Sequence, residues 1–276
     1  MRPLTDMDYA DLDWNRLWQE SRRRKTWRRK SSADWDQRAA AFARRNLDSP
    51  YIEAFLRLMA PRPDWSVLDV GAGPGTLALP LAGLVSRVTA LDFSARMLEC
   101  LTAEADRREL RNISCVRAAW EDDWEQLGIR PHDVAVASRS LGVEDLRAAL
   151  EKLDAYGRRA VFIGDRVGAG PFDPEVFRAV GREFKPGPDY IFTINLLYQM
   201  GIAVNVSLVT VERQQGFADQ QAALDSLAWM IDDPSPAERR RLIDFVAARA
   251  RVTADNRLVL TGMRPARWAV IWWVKD

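Results

Sequence analysis

Residues 65–77 read Trp-Ser-Val-Leu-Asp-Val-Gly-Ala-Gly-Pro-Gly-Thr-Leu, a short apolar run that breaks into three glycines at alternate positions. Val67, Leu68 and Val70 have the composition of a parallel strand covered on both faces. Gly71, Gly73 and Gly75 let the main chain approach a ligand with no Cβ in the way, and a helix starting just after them aims its unpaired N–H groups at the same point. The spacing separates cofactor classes. A dinucleotide fingerprint, G-x-G-x-x-G, needs its third glycine at position 76, where Thr76 stands, whereas here Gly75 comes one residue early.

Working outward, Asp69 lies two residues before the first glycine, and a second acidic residue, Asp92, ends the strand-like run Arg87-Val88-Thr89-Ala90-Leu91. The segments Leu68-Asp69-Val70-Gly71-Ala72-Gly73-Pro74-Gly75 and Ala90-Leu91-Asp92-Phe93-Ser94-Ala95-Arg96-Met97 together resemble the class I S-adenosylmethionine-dependent methyltransferase family, and a pair of motifs about 20 residues apart is far more specific than one glycine loop. The resemblance implies S-adenosyl-L-methionine as cofactor and S-adenosyl-L-homocysteine as product. It places Asp69, Gly71, Ala72 and Gly73 around the methionine part and Asp92 on the ribose, with Phe93 and Met97 beside it. A carboxylate suits a vicinal diol because it accepts two hydrogen bonds at once. Trp120 and Glu121 fall in the segment that meets adenine in the family, although Ala119 stands where an Asp is common. Ser138 ends the fourth strand on the same rim.

Composition describes an ordinary globular chain: 276 residues, 47% hydrophobic, net charge +1. That charge balance gives no general argument for a polyanionic partner. The local exception is Arg22-Arg23-Arg24-Lys25-Thr26-Trp27-Arg28-Arg29-Lys30, which could contact phosphates but reads first as a solvated helix face or an arm. Cys100 and Cys115 are the two cysteines, expected as buried thiols, and no metal-ligand constellation is visible. With no apolar signal core and no long apolar run, the expected location is the cytoplasm, with no membrane partner.

Strand and helix patterns alternate from residue 66 onward: strands at 87–91, 113–117, 133–137 and 160–164, with helices at 76–84, 94–108 and 143–156. Such units build a parallel, doubly wound α/β sheet with right-handed crossovers and a ligand rim beyond the strand carboxyl ends. Strands at 203–211 and 268–274 complete a mostly parallel, seven-stranded, Rossmann-like methyltransferase fold, and their separation excludes a tight hairpin. The expected organisation is a helical arm or lid over 1–60, an α/β domain over 61–212 and 267–276, and a helical cap over 213–266. In the cap, Ser235 and Glu238 have capping-box spacing. Segment 165–201 is rich in Gly and Pro before a helix at 190–200. In the arm, Trp14 and Trp18 share a helical face, and Trp35, Ala39 and Phe42 continue in a second segment. Packing explains these tryptophans; a lid near the methionine end would make Trp35 and Arg38 the functional residues.

The motifs identify the cofactor better than the acceptor. No Asn-Pro-Pro-Tyr, Asp-Pro-Pro-Tyr or Pro-Cys motif of nucleic-acid methylases is present, and the single histidine, His132, precedes the fourth strand on the wrong rim for catalysis. The expected function is methyl transfer to a small-molecule acceptor, which Arg139, Arg166, Tyr190 or Tyr198 could orient. The alternatives are an RNA or protein methyltransferase using the basic arm, and a non-catalytic S-adenosylmethionine-binding protein. No residue is assigned as a base.

Overall fold

A computed structural model describes residues 8–28, 31–46, 49–212 and 216–275. Seven strands form one sheet: β1 (Ser66–Val70), β2 (Arg87–Asp92), β3 (Ile113–Arg117), β4 (His132–Ser138), β5 (Gly157–Arg166), β6 (Asn205–Val211) and β9 (Ala266–Val274), in the order β3-β2-β1-β4-β5-β9-β6. β1 pairs in parallel with β2 and β4, and β9 runs antiparallel between β5 and β6. The chain reverses its direction of travel across the sheet between β1 and β4, the switch point where doubly wound sheets open a ligand crevice.

One face carries α3 (Pro50–Met59), α4 (Ala78–Ala82) and α5 (Ala95–Arg107), which bury Tyr51, Phe55, Leu79 and Leu101 against Val67, Val136, Phe162 and Val270. The other carries α6 (Leu146–Tyr156) and α8 (Tyr190–Gln199) over Leu68, Ala135, Ile163 and Ile271. The helices start where sequence chemistry provides a cap: Ser49 before Pro50, Ser94 before Ala95 and Asp145 before Leu146 each accept a first-turn N–H.

The arm is divided by this architecture. Helix α1 (Trp14–Arg24) is a core element: Trp18 is 2% exposed among Leu196, Leu197 and Val143, and its indole N–H donates to the Val143 carbonyl at 3.1 Å. Helix α2 (Ser32–Asn46) packs on α5 instead. Between them the chain crosses the rim, where Thr26 N–H donates to the Lys185 carbonyl and Lys185 N–H returns a bond to Thr26 Oγ1. Arg29 and Lys30 of the basic run lie outside the described residues.

Three details differ from the sequence reading. The Gly- and Pro-rich segment contains a helix, α7 (Pro174–Val180), started by Asp173 and stopped by Gly181 at φ +85°. With α9 (Gln220–Ala228), α10 (Pro236–Arg249) and the hairpin β7 (Ala250–Val252) and β8 (Leu258–Leu260), it builds a separate apolar cluster around Phe177, Leu227, Met230 and Phe245. The cap therefore draws on both inserts; the Ser235–Glu238 capping box is present. The cysteines are also not buried. Cys115 is exposed on the edge strand β3, beside Thr102 of α5, which donates to its sulfur at 3.6 Å, and Cys100, on α5, is partly exposed.

Candidate cofactor and acceptor site

The glycine turn leaves β1 with Gly71, Gly73 and Gly75 all at positive φ (+73°, +56° and +92°), which L side chains adopt at a cost. The three have different reasons to be glycine. At Gly71 a Cβ would lie 2.3 Å from Ser140 Cβ, because Ser140 reaches under the turn to donate to the Val70 carbonyl at 2.6 Å. At Gly75 it would strike Leu79 of α4. At Gly73 it would meet no protein atom within 4 Å. Two of these glycines fit the fold, and the third faces the crevice.

Asp92 closes the turn from the neighbouring strand. Its Oδ2 accepts the Gly73 N–H at 2.8 Å and its Oδ1 the Ser94 N–H at 2.9 Å, while Gly71 and Ala72 both donate to the Leu91 carbonyl. The carboxylate is 6% exposed; burial raises its pKa, and the backbone N–H of Ser94 and of Gly73 hold it down. Asp69 is deeper, at 2% exposed, with a buried Oδ2 that has no hydrogen-bond partner. Burial and the nearby Asp92 charge push its pKa up to about 7. Phe93 is half-buried, and Met97 is buried with its N–H bonded to Ser94 Oγ.

A contact that sequence reasoning missed joins the arm to this turn. Asp36 of α2 accepts from Ser94 Oγ at 2.5 Å and from the Arg96 N–H at 3.2 Å, so it caps α5 together with Ser94, two residues from Asp92. These bonds lower the Asp36 pKa. On the same helix, Arg38 pairs with Asp232 of the cap at 3.7 Å, and Trp35 packs edge-on against Phe42. Trp120 lies against Trp124 and donates to the Ser140 carbonyl at 3.2 Å, Glu121 stays at the surface, and Asp122 is occupied by the Ala119 N–H.

The far side of the rim is rich in cations and rings. Ser138 Oγ lies 2.8 Å from Tyr51 Oη, and burial pushes that phenol up to about 12. Arg139, next in the chain, takes a left-handed φ of +59° and sets its guanidinium 4.8 Å from the Tyr51 ring and 5.5 Å from the Trp268 ring. A non-glycine residue in that region stores strain that functional sites commonly hold. Arg166, at the end of β5, stacks at 4.7 Å on Trp27 of the arm. Tyr190, at the start of α8, is packed against the core beneath it, and Tyr198, two turns further along, is 69% exposed against Tyr9 and does not join this group. His132 is on the opposite rim, buried between Thr89 Oγ1 and the Arg130 carbonyl.

Comparison with known proteins agrees with this geometry. The methyltransferase-domain family matches residues 67–158, the stretch from β1 to the start of β5. An uncharacterised protein of Haemophilus influenzae is 35% identical over 88% of this chain and 89% of its own length. A 23S rRNA uracil-1939 C5-methyltransferase of Pseudomonas savastanoi is 36% identical over 26% of this chain and 16% of its own length. Among solved structures, the YcgJ protein of Bacillus subtilis superposes with a TM-score of 0.56 at 13% identity, covering 82% of this chain and 97% of that one. A family match laid over the strands that carry Gly71–Gly75 and Asp92, within a sheet of this order, makes the chain a member of the class I S-adenosylmethionine-dependent methyltransferases, with S-adenosyl-L-methionine as its cofactor.

Proposed function

We propose that the chain transfers the methyl group of S-adenosyl-L-methionine to a small-molecule acceptor held between the glycine turn and the ends of β4, β5 and β9. Two observations fit the cofactor to the crevice: the open space in front of Gly73, and the unpartnered buried acceptor Asp69 Oδ2. In this reading Asp69, Gly71, Ala72 and Gly73 hold the methionine end, and Asp92 uses the second lone pair of each oxygen for the ribose hydroxyls. Phe93 and Met97 flank the nucleoside, Trp120 and Glu121 border the adenine, and Ser138 and Arg38 face the transfer centre from the β4 end and from the arm. When bound, the cofactor would supply an electrophilic methyl group, open to displacement by an acceptor lone pair with the C–S electron pair departing on sulfur. The chain's own task is alignment and exclusion of water.

The path of the arm carries the small-molecule reading. It runs over the rim from one sheet face to the other and is tied down at Thr26–Lys185, Asp36–Ser94 and Arg38–Asp232. A rim roofed in this way suits a small acceptor better than a helix of RNA. The basic run offers little in compensation, because Arg24 pairs with Glu20, Arg22 with Glu144 and Arg28 with Asp34, and Lys25 lies on the Trp27 ring. The RNA alternative has the rRNA enzyme in its favour, but the shared stretch is a small part of that protein. A cytoplasmic location belongs to the same proposal; no described helix is long and apolar enough to cross a membrane.

The test is to incubate the chain with methyl-labelled cofactor and either a metabolite extract or total cellular RNA. Label in the small-molecule fraction supports the proposal. Label confined to RNA overturns it, and a bound cofactor that never turns over in either mixture favours the non-catalytic alternative.

A further inference from the structure

Five side chains, three cations and two rings, meet where β5 and β9 reach the rim. Arg166 and Trp268 are register partners across the β5–β9 pair. Arg139 lies over the Trp268 ring, and Arg166 lies over Trp27, whose ring also carries Lys25 Nζ at 3.5 Å. Cations and rings thus alternate along the rim from the core to the arm. Cation–π contacts stabilise such a row but neutralise nothing.

The local carboxylates are committed elsewhere. Asp165 Oδ1 accepts the Arg166 backbone N–H and its Oδ2 accepts Thr193 Oγ1; Asp189 Oδ1 accepts the Ile191 N–H and its Oδ2 the Gly168 N–H. Neither lies within ion-pair distance of the Arg166 guanidinium among the described residues. Burial lowers the pKa of Arg166, and the charges of Asp165 and Asp189 offset that only in part.

A fourth cation enters from the loop before β9. Arg264 has its Nη1 buried with no hydrogen-bond partner, and its Nη2 would lie 3.8 Å from a Cβ at Gly168. Glycines line this corner: a Cβ at Gly170 would press on Arg166 Cβ at 2.9 Å, and one at Gly187 would meet Trp27 at 3.2 Å and Arg166 Nη1 at 3.6 Å. The loops are trimmed to backbone around two guanidiniums, one of which, that of Arg264, keeps a buried donor unsatisfied. An unsatisfied buried donor on Arg is costly, and the planar fork of a guanidinium matches a carboxylate or phosphate.

We infer that the acceptor is an oxyanion, a small carboxylate or phosphate ester, whose charged group sits between Arg166 and Arg264 while Arg139, Trp268 and Trp27 flank its body. This deepens the small-molecule reading and rests on it. The anion occupies the β5–β9 end of the rim, so the atom that receives the methyl group lies on the side facing Ser138 and the glycine turn. Arg166, one of the two cations that bind the anion, also anchors the arm through Trp27, so an anion here also fastens the roof.

The experiment uses the full chain saturated with S-adenosyl-L-homocysteine and three matched probes: benzoate, phenyl phosphate and the neutral benzamide. Binding is read by tryptophan fluorescence and by calorimetry. At least one anion should bind tenfold or more tightly than benzamide, and whichever anion wins names the head group. Arg166→Gln and Arg264→Gln, made separately, should each bring that anion to within about twofold of benzamide, while affinity for S-adenosyl-L-homocysteine stays within twofold as proof of an intact fold. If Arg166→Gln loses the fold, Arg264→Gln alone decides. Equal binding of benzamide, no saturable binding of either anion, or a preference that survives substitution overturns the inference. A neutral metabolite taking the label in the transfer assay also overturns it and leaves the small-molecule reading standing, whereas label in RNA alone removes that reading itself.

Discussion

Replacing Asp92 by Ala tests the cofactor assignment most directly, because the carboxylate has two duties that can be measured separately. With the cofactor bound, two ribose hydroxyls lose a charged acceptor, and hydrogen bonds to charged groups are worth about 1.5–3 kcal/mol each before partial compensation by water. A loss of about 2–4 kcal/mol follows, or roughly 30- to 1000-fold in affinity at about 1.4 kcal/mol per decade. Without cofactor, the Gly73 and Ser94 N–H groups lose their acceptor, which destabilises the turn. That cost is partly offset, since burial already raises the Asp92 pKa and its charge opposes Asp69. The ligand-free chain should therefore lose only about 1–2 kcal/mol, lowering Tm by about 2–6 °C on the usual scaling for domains of this size. Calorimetric titration with S-adenosyl-L-homocysteine gives the first number and a thermal melt the second. A folded variant with unchanged Kd would refute the ribose assignment. An affinity loss matched in full by lost stability would reduce Asp92 to a turn brace.

Gly73→Val should leave the sheet folded, at about 1–2 kcal/mol for a β-branched side chain at φ +56°, and abolish cofactor binding; binding that survives would put the ligand elsewhere. For Asp69 the sign follows from its raised pKa: the folded chain holds this proton longer than the unfolded one, so the group's contribution to stability falls as pH rises from about 4 through about 7, and Asp69→Asn should flatten that part of the stability profile. If Asp69 Oδ2 receives a donor from the cofactor, the affinity of wild type for S-adenosyl-L-homocysteine should rise across the same window, and a flat affinity would assign Asp69 to structure alone. S-Adenosyl-L-homocysteine should slow amide exchange along α2 more than along α1, and Asp36→Ala should remove that protection and weaken binding; equal protection of both helices would detach the arm from the cofactor site.

What the sequence made legible was local. The glycine turn, Asp92 and the capping box of α10 are decided by residues a few positions apart, whose chemistry has few structural solutions. Residues 173–181 were legible by the same rule, with Asp173 as cap, Pro174 at the first position and Gly181 as stop, but their Gly and Pro neighbours made them read as loop. Long-range pairings left no such trace. Asp36 caps a helix 58 residues away, Arg166 stacks on a ring from the arm, and Arg139 owes its backbone strain to the meeting of β4 and β5, where its N–H donates to the Gly164 carbonyl. Cys115 was misjudged for a related reason: a strand's composition does not say whether it will lie at the edge of the sheet.

The arm's course explains how so covered a rim can still exchange substrate. Trp18 fixes α1 in one core cluster, and Tyr51 and Phe55 fix α3 in the other, so neither helix can leave without exposing large apolar side chains to water. Residues 25–28 and α2 are held differently, by Thr26–Lys185, Arg38–Asp232, Asp36–Ser94 and the stack of Trp27 on Arg166. Beyond the packing of α2 on α5 and its buried Ala39, these are single hydrogen bonds, one long ion pair and one ring stack, each of which contributes little stability alone and re-forms readily after breaking. Reading the arm as a lid therefore predicts that residues 25–28 lift while the sheet and both cores stay packed, with the two contacts nearest the chemistry setting their closure. Asp36 bonds to the cap beside the turn that Asp92 braces, and Trp27 stacks on the guanidinium proposed to bind the anion. On that reading, filling both ends would strengthen both anchors, and one segment would close over the cofactor and the acceptor together and exclude water when the pair is complete.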